Sequence, residues 1–133
     1  DIGNIEISSE ILRKKEGLTA EETALIRNHT KLGAKLLRDI HANSDYNDFI
    51  SISVDIVQYH HENWDGSGYP DGLAGERIPL GAQIVSIMER FCVLTERENC
   101  SKEQALERMG IEAGTKFNPD IYKICCKISR QLC

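Results

Sequence analysis

No stretch of this 133-residue chain approaches the roughly 18 consecutive apolar residues of a membrane span. Its first residue, Asp1, begins a mixed polar segment with no sign of a secretory leader. Basic residues are also short: 16 Lys and Arg stand against 21 Asp and Glu, for a formal net charge of −5. That balance argues against non-specific nucleic-acid binding, which needs a basic face. An anionic ligand would have to be held by local cations or by metal. The five cysteines, Cys92, Cys100, Cys125, Cys126 and Cys133, form neither a CxxC pair nor a metal-finger spacing. An odd set without a framework fits a reducing cytosol. Small packing residues, with Cys133 as a tail thiol, are the reading of these positions. No strand alternation, internal repeat or low-complexity tract is present.

What remains is an ordinary globular composition, 41% hydrophobic and 28% charged. The length is that of one domain, able to bury ~65–70% of its unfolded surface. The pattern is helical throughout. Ser8 and Ser9 can cap a short helix carrying Ile11 and Leu12. Thr19 with Glu22 reads as a capping box that opens a long helix. Leu25, His29, Leu32 and Leu36 fall on one face of that helix. A polar loop from Ala42 to Asp48 follows. Phe49, Ile52, Ile56 and His60 then share one helical face, and Val54, Val57 and His61 an adjacent one. Pro79 suits the first turn of the next helix, which carries Ile84, Val85, Ile87, Met88, Phe91 and Leu94. Glu89 borders its apolar side. Ser101 with Gln104 suggests another capping box, and Asn118-Pro119 the start of a last helix with Ile121, Ile124 and Ile128.

The chemistry concentrates at His60-His61-Glu62-Asn63-Trp64-Asp65-Gly66-Ser67-Gly68-Tyr69-Pro70. Neutral imidazole suits first-row transition metals such as Zn, Fe, Mn or Ni. The glycine-rich turn beyond has little side-chain bulk, so its backbone can come close to a ligand. A bare His pair, or a lone His29 on an apolar stripe, is more often a structural residue. The whole string, continued by Pro70-Asp71-Gly72-Leu73-Ala74-Gly75-Glu76-Arg77-Ile78-Pro79, resembles the signature of the HD-GYP family of metal-dependent phosphodiesterases. Asp1-Ile2-Gly3 resembles the end of its His-Asp motif, and His29-Thr30-Lys31-Leu32-Gly33 its second His motif. Gly114-Thr115-Lys116-Phe117-Asn118-Pro119 resembles the pattern before the last helix.

The resemblance implies an all-α domain of the HD superfamily, HD-GYP branch, spanning residues 1–133 as a single partial domain without upstream helices. It implies Asp1, His29, His60, His61 and Glu89 as metal ligands, with Asp1 and Glu89 in the catalytic set. Two divalent transition metals, Fe, Mn or similar, would be the cofactors. Gly68, Tyr69, Pro70 and Arg97 would contact the substrate, cyclic di-GMP or a related nucleotide, opened to linear pGpG or GMP. Glu62 would orient a metal-bound His or cap and salt-bridge locally. Trp64 reads as a structural anchor. The resemblance further implies a cytoplasmic protein and admits GGDEF or response-regulator partner domains and a homodimer.

The departures are specific. The chain starts at the Asp, so the preceding His is absent. Asn4 replaces the usual Lys, Glu89 the usual Asp, and Cys92 stands where a second acid is common. The segment Glu96 to Cys100 is shorter than the family's basic loop, which Arg97 would replace in part. These changes remove cations and reshape one metal position, so weak hydrolysis is the expectation. The rival reading is a degenerate module that binds nucleotide or a protein partner without hydrolysis. A third is a related HD hydrolase acting on another phosphoester. Without upstream helices, a large exposed apolar patch is expected.

Overall fold

The computed structural model describes residues 1–42 and 47–131. Among these, the secondary structure is helical. The only β pairing is two isolated bridges, Asp65 with Ala74 and Ala113 with Phe117. The chain divides into two compact units, the first Asp1–Tyr59 and the second from His60 onward.

The first unit opens with a 3₁₀ turn, Ile2–Glu6, followed by α1 (Ser9–Arg13), α2 (Ala20–Arg27), α3 (His29–Ile40) and α4 (Asp48–Tyr59). Ser8 caps α1 through its side chain. Thr19 and Glu22 form the expected capping box on α2, each satisfying a backbone amide of the other. The long helix expected from Thr19 is instead two helices, joined at Asn28. Burial explains the division. No residue of α2 is buried, whereas α3 buries His29, Thr30, Gly33 and Ala34. Leu25 is accordingly exposed, and the continuous Leu25–Leu36 stripe is not formed.

α3 packs on α4 through Ala34, Ile50 and Val54, with Leu37 beside them. Gly33 lies against Val57. Gly33, near the start of α3, thus lies beside the end of α4, and Arg38 donates to Gln58 at 2.8 Å. This pairing buries Ile50 and Val54 and leaves Phe49 and Ile52 exposed, one step away from the Phe49–Ile52 face that the spacing suggests. Residues 43–46 of the expected loop lie outside the described residues.

The second unit begins with an irregular segment, His60 to Pro79, that includes a 3₁₀ turn at Gly75–Arg77. α5 (Leu80–Cys92) follows and runs on into a π-helical segment, Val93–Arg97. Then come α6 (Lys102–Glu112) and α7 (Pro119–Gln131). Pro79 stands one position outside α5, as its N-cap. Ser101 and Gln104 form the second capping box, and the Asn118 side chain accepts the Asp120 amide at the head of α7. Ile87, Leu94, Ala105, Met109 and Phe117 make the core. Arg90 grips both carboxylate oxygens of Glu112, at 3.1 and 2.9 Å, tying α5 to the end of α6. That hydrogen bonding holds the guanidinium proton more firmly than usual.

Leu80, Ile84 and Met88 of α5 and Ile124 and Ile128 of α7 remain exposed. No helix among the described residues is long and apolar enough to cross a membrane. Cys92, Cys100, Cys125 and Cys126 are free thiols, while Cys133 lies outside the described residues. Met109 is completely buried in the core. Met109→Ala should therefore destabilise the protein by about 2–5 kcal/mol, read as a lower urea midpoint, and an unchanged midpoint would mean that this core is not a cooperative unit.

Candidate metal centre

In the first unit, the 3₁₀ turn is laid against the start of α3. A Cβ at Gly3 would sit 1.9 Å from the carbonyl oxygen of His29, and one at Gly33 would sit 3.1 Å from the Gly3 amide. Only glycine allows this backbone-on-backbone approach. It brings Asp1 to His29, with Asp1 Oδ1 3.2 Å from His29 Nε2. The imidazole is buried and the carboxylate is half exposed.

The other ring nitrogen, Nδ1, faces the Ile26 carbonyl. A carbonyl only accepts, so Nδ1 carries the hydrogen and Nε2 presents its lone pair. Nε2 and Asp1 Oδ1 are then two electron-pair donors 3.2 Å apart. A cation between them, proton or metal, resolves that contact. Orientation of one imidazole nitrogen by a backbone carbonyl is the usual arrangement behind a metal-bound His.

In the second unit, His60 is buried and His61 half-buried, with ring centroids 4.1 Å apart. The turn beyond them folds back on its own start. The Tyr69 amide donates to the His61 carbonyl at 3.2 Å, and the Tyr69 ring stacks on the His61 ring at 5.0 Å. A Cβ at Gly68 would meet Asn63 N, His61 O and Glu62 Cα at 2.4–2.6 Å, so this glycine too is required by close approach. The Tyr69–Pro70 bond is cis. Ser67, through its hydroxyl and its amide, holds the Asp65 carboxyl below the usual carboxylate range. The Trp64 and Asp65 amides donate to the Lys116 and Thr115 carbonyls at 3.1 and 2.9 Å. The Gly114–Pro119 segment thus supports the turn through backbone alone.

Glu62 does not orient an imidazole directly. Its two oxygens accept the amides of Asp71 and Leu73, at 2.7 and 3.0 Å, and it is almost fully buried. Sequence reasoning missed this clamp, and also the Gly3–His29 approach.

Asp1, His29, His60 and His61 are a donor set that could hold a metal ion. Three imidazoles and one carboxylate suit Zn, Fe, Mn or Ni. Glu89 is not in that set; it stands half-buried on α5. Arg97 closes the π-helical segment and is exposed. Asn4 places its side-chain oxygen in the interior without a hydrogen-bond partner.

Comparisons with known proteins place the chain in a family. A family model described as HD domain matches residues 1–121. The cyclic di-GMP phosphodiesterase response regulator RpfG of Xanthomonas campestris pv. campestris is 37% identical over 90% of this chain and 31% of its own length. The 3′3′-cGAMP-specific phosphodiesterase 2 of Vibrio cholerae is 30% identical over 93% of this chain and 24% of its own. Among solved structures, an HDG"Y"P protein from Bdellovibrio bacteriovorus superposes with a TM-score of 0.69 at 21% identity, covering 98% of this chain and 40% of that one. The chain belongs to the HD domain family. It spans about a third or less of the length of these relatives.

Gly3→Ala should push the 3₁₀ turn off α3. The expected result is a loss of about 1–3 kcal/mol in urea denaturation, together with displaced His29 imidazole resonances. Unaltered stability and resonances would mean that the Asp1–His29 pairing does not depend on this approach.

Proposed function

We propose that this chain carries the metal centre of a cyclic dinucleotide phosphodiesterase, with Asp1, His29, His60 and His61 as its donors. The observation that carries the reading is the 3.2 Å approach of Asp1 Oδ1 to His29 Nε2, the ring nitrogen left over by the Ile26 carbonyl. Chain path supports the wider set. The contact of Gly33 with Val57 sets the end of α4 beside the first turns of α3, where His29 stands, and His60 follows Tyr59 directly.

The finer reading is two ions of the iron or manganese type, with Glu89 as an added carboxylate. When bound, such ions act as Lewis acids and lower the pKa of coordinated water. The protein's own part is to hold the donors in fixed protonation states. The Ile26 carbonyl keeps the His29 proton on Nδ1. The Gly68-Tyr69-Pro70 turn offers a low wall for a nucleotide, and Arg97 is the cation for its phosphate. The reaction is attack of water on one phosphodiester phosphorus, with breakage of one P–O bond to a linear dinucleotide. Cyclic di-GMP is the first substrate and 3′3′-cGAMP the second. A cytoplasmic setting, partner domains of the GGDEF or response-regulator kind, and a homodimer belong to the same reading.

Asn4 favours a second reading, binding without hydrolysis. A neutral amide cannot offset phosphate charge in the transition state, and losing one such contact costs about 10²–10³ in rate. Incubation with Mn or Fe and either cyclic dinucleotide, with linear product measured by chromatography, is the test. Slow turnover is expected, with loss of both metal and turnover in His60→Ala. Nucleotide binding with no product supports the second reading. Undiminished metal content in His60→Ala would mean that the ligands lie elsewhere.

A further inference from the structure

Glu62 is a carboxylate in an interior position, only 2% exposed, one residue beyond the His pair. Both its oxygens are committed to backbone amides 9 and 11 residues further on, Asp71 and Leu73. Between those points lies the turn whose Tyr69 amide bonds the His61 carbonyl and whose Tyr69 ring lies nearly parallel to the His61 ring, at 21°. Gly68 presses against the His61–Asn63 backbone. The outgoing leg is pinned separately, through Trp64 and Asp65 to the Lys116 and Thr115 carbonyls. The return leg carries Tyr69 back to His61, and Glu62 fastens that leg.

From this arrangement we infer that Glu62 is a positioning residue for His61, acting through the turn: its carboxylate fixes residues 71–73, which fixes the Tyr69 ring, which sets the plane of the His61 imidazole. This deepens the reading of His61 as a metal ligand and rests on it. A ring free to rotate about χ1 and χ2 must be ordered when it binds metal, and that ordering weakens affinity. A ring already stacked has paid this cost. Partners that orient metal-bound His residues typically contribute about 10–100-fold in metal affinity.

The chemistry of the clamp selects the test. Two amide N–H groups need two acceptors. Glu62→Gln keeps size and shape but turns one acceptor into an NH₂ donor facing an N–H. It should free one end of the return leg. Tyr69→Leu leaves the clamp whole and removes the stack, whereas Tyr69→Phe keeps the ring. Two readouts separate the inference from the function beneath it: imidazole ¹⁵N resonances of His61 in metal-free protein, and Mn or Zn affinity by equilibrium dialysis.

The expected result is displaced and broadened His61 resonances in Glu62→Gln and Tyr69→Leu, with His29 unmoved and Tyr69→Phe like the parent. Metal affinity should fall about 10-fold or more in each of the first two. The double variant should bind no worse than Tyr69→Leu alone, because both changes act on one connection. Additive losses, or His61 resonances unchanged in Glu62→Gln, overturn the inference. Should Glu62→Gln fail to fold, Tyr69→Leu decides it alone: unmoved His61 resonances there mean that the stack does not position the ring. If the parent protein binds no metal, the functional reading fails, while the metal-free resonances still decide whether Glu62 and Tyr69 orient His61.

Discussion

A glycine pressed against the carbonyl oxygen of a histidine from the candidate metal-binding set is the constraint on which both halves of this molecule depend. In the first unit Gly3 meets the oxygen of His29, and in the second Gly68 meets the oxygen of His61, at Cβ distances of 1.9 and 2.5 Å. A side chain at either position would separate the backbones by more than a metal site tolerates. The donor residues are therefore held by main chain packed on main chain, and their side chains are left to point elsewhere. A site built this way keeps its geometry when surface side chains change.

The same economy governs the hydrogen bonds. The turn after His61 runs out along the Lys116 and Thr115 carbonyls and returns to the Glu62 carboxylate. Few of its contacts use a side chain that could be spared for anything else. A buried carboxylate is costly unless its oxygens are satisfied. Glu62 meets that condition with two amides that would themselves be costly to leave unpaired. His29 follows a similar rule, since the Ile26 carbonyl takes one nitrogen and leaves the other for Asp1.

Asn4 and Glu89 show where family chemistry and this chain part. Asn4 keeps the turn's backbone bond to Asp1, so the fold of this turn does not depend on a cation at that position. Glu89 sits on a helix whose other residues build the core with Leu94 and Met109. Its position answers to packing as well as to chemistry.

The helical class, both capping boxes and the cap at Asn118 were legible in the sequence, because capping depends on residue type at short, fixed spacing; Asp1, His29, His60 and His61, which the family resemblance singles out, come together as a set that could hold a metal ion. The break at Asn28 was not legible. Helical periodicity runs through it, and only the seating of the 3₁₀ turn on α3 decides that His29 begins a new helix. Nor was the buried face of α4, where packing against Ala34 selects Ile50 and Val54 over Phe49 and Ile52. The role of Glu62 was out of reach for the same reason. A carboxylate next to two histidines has several local uses, and which one applies depends on where residues 71 and 73 return, a matter of chain path through space that one-dimensional spacing does not contain.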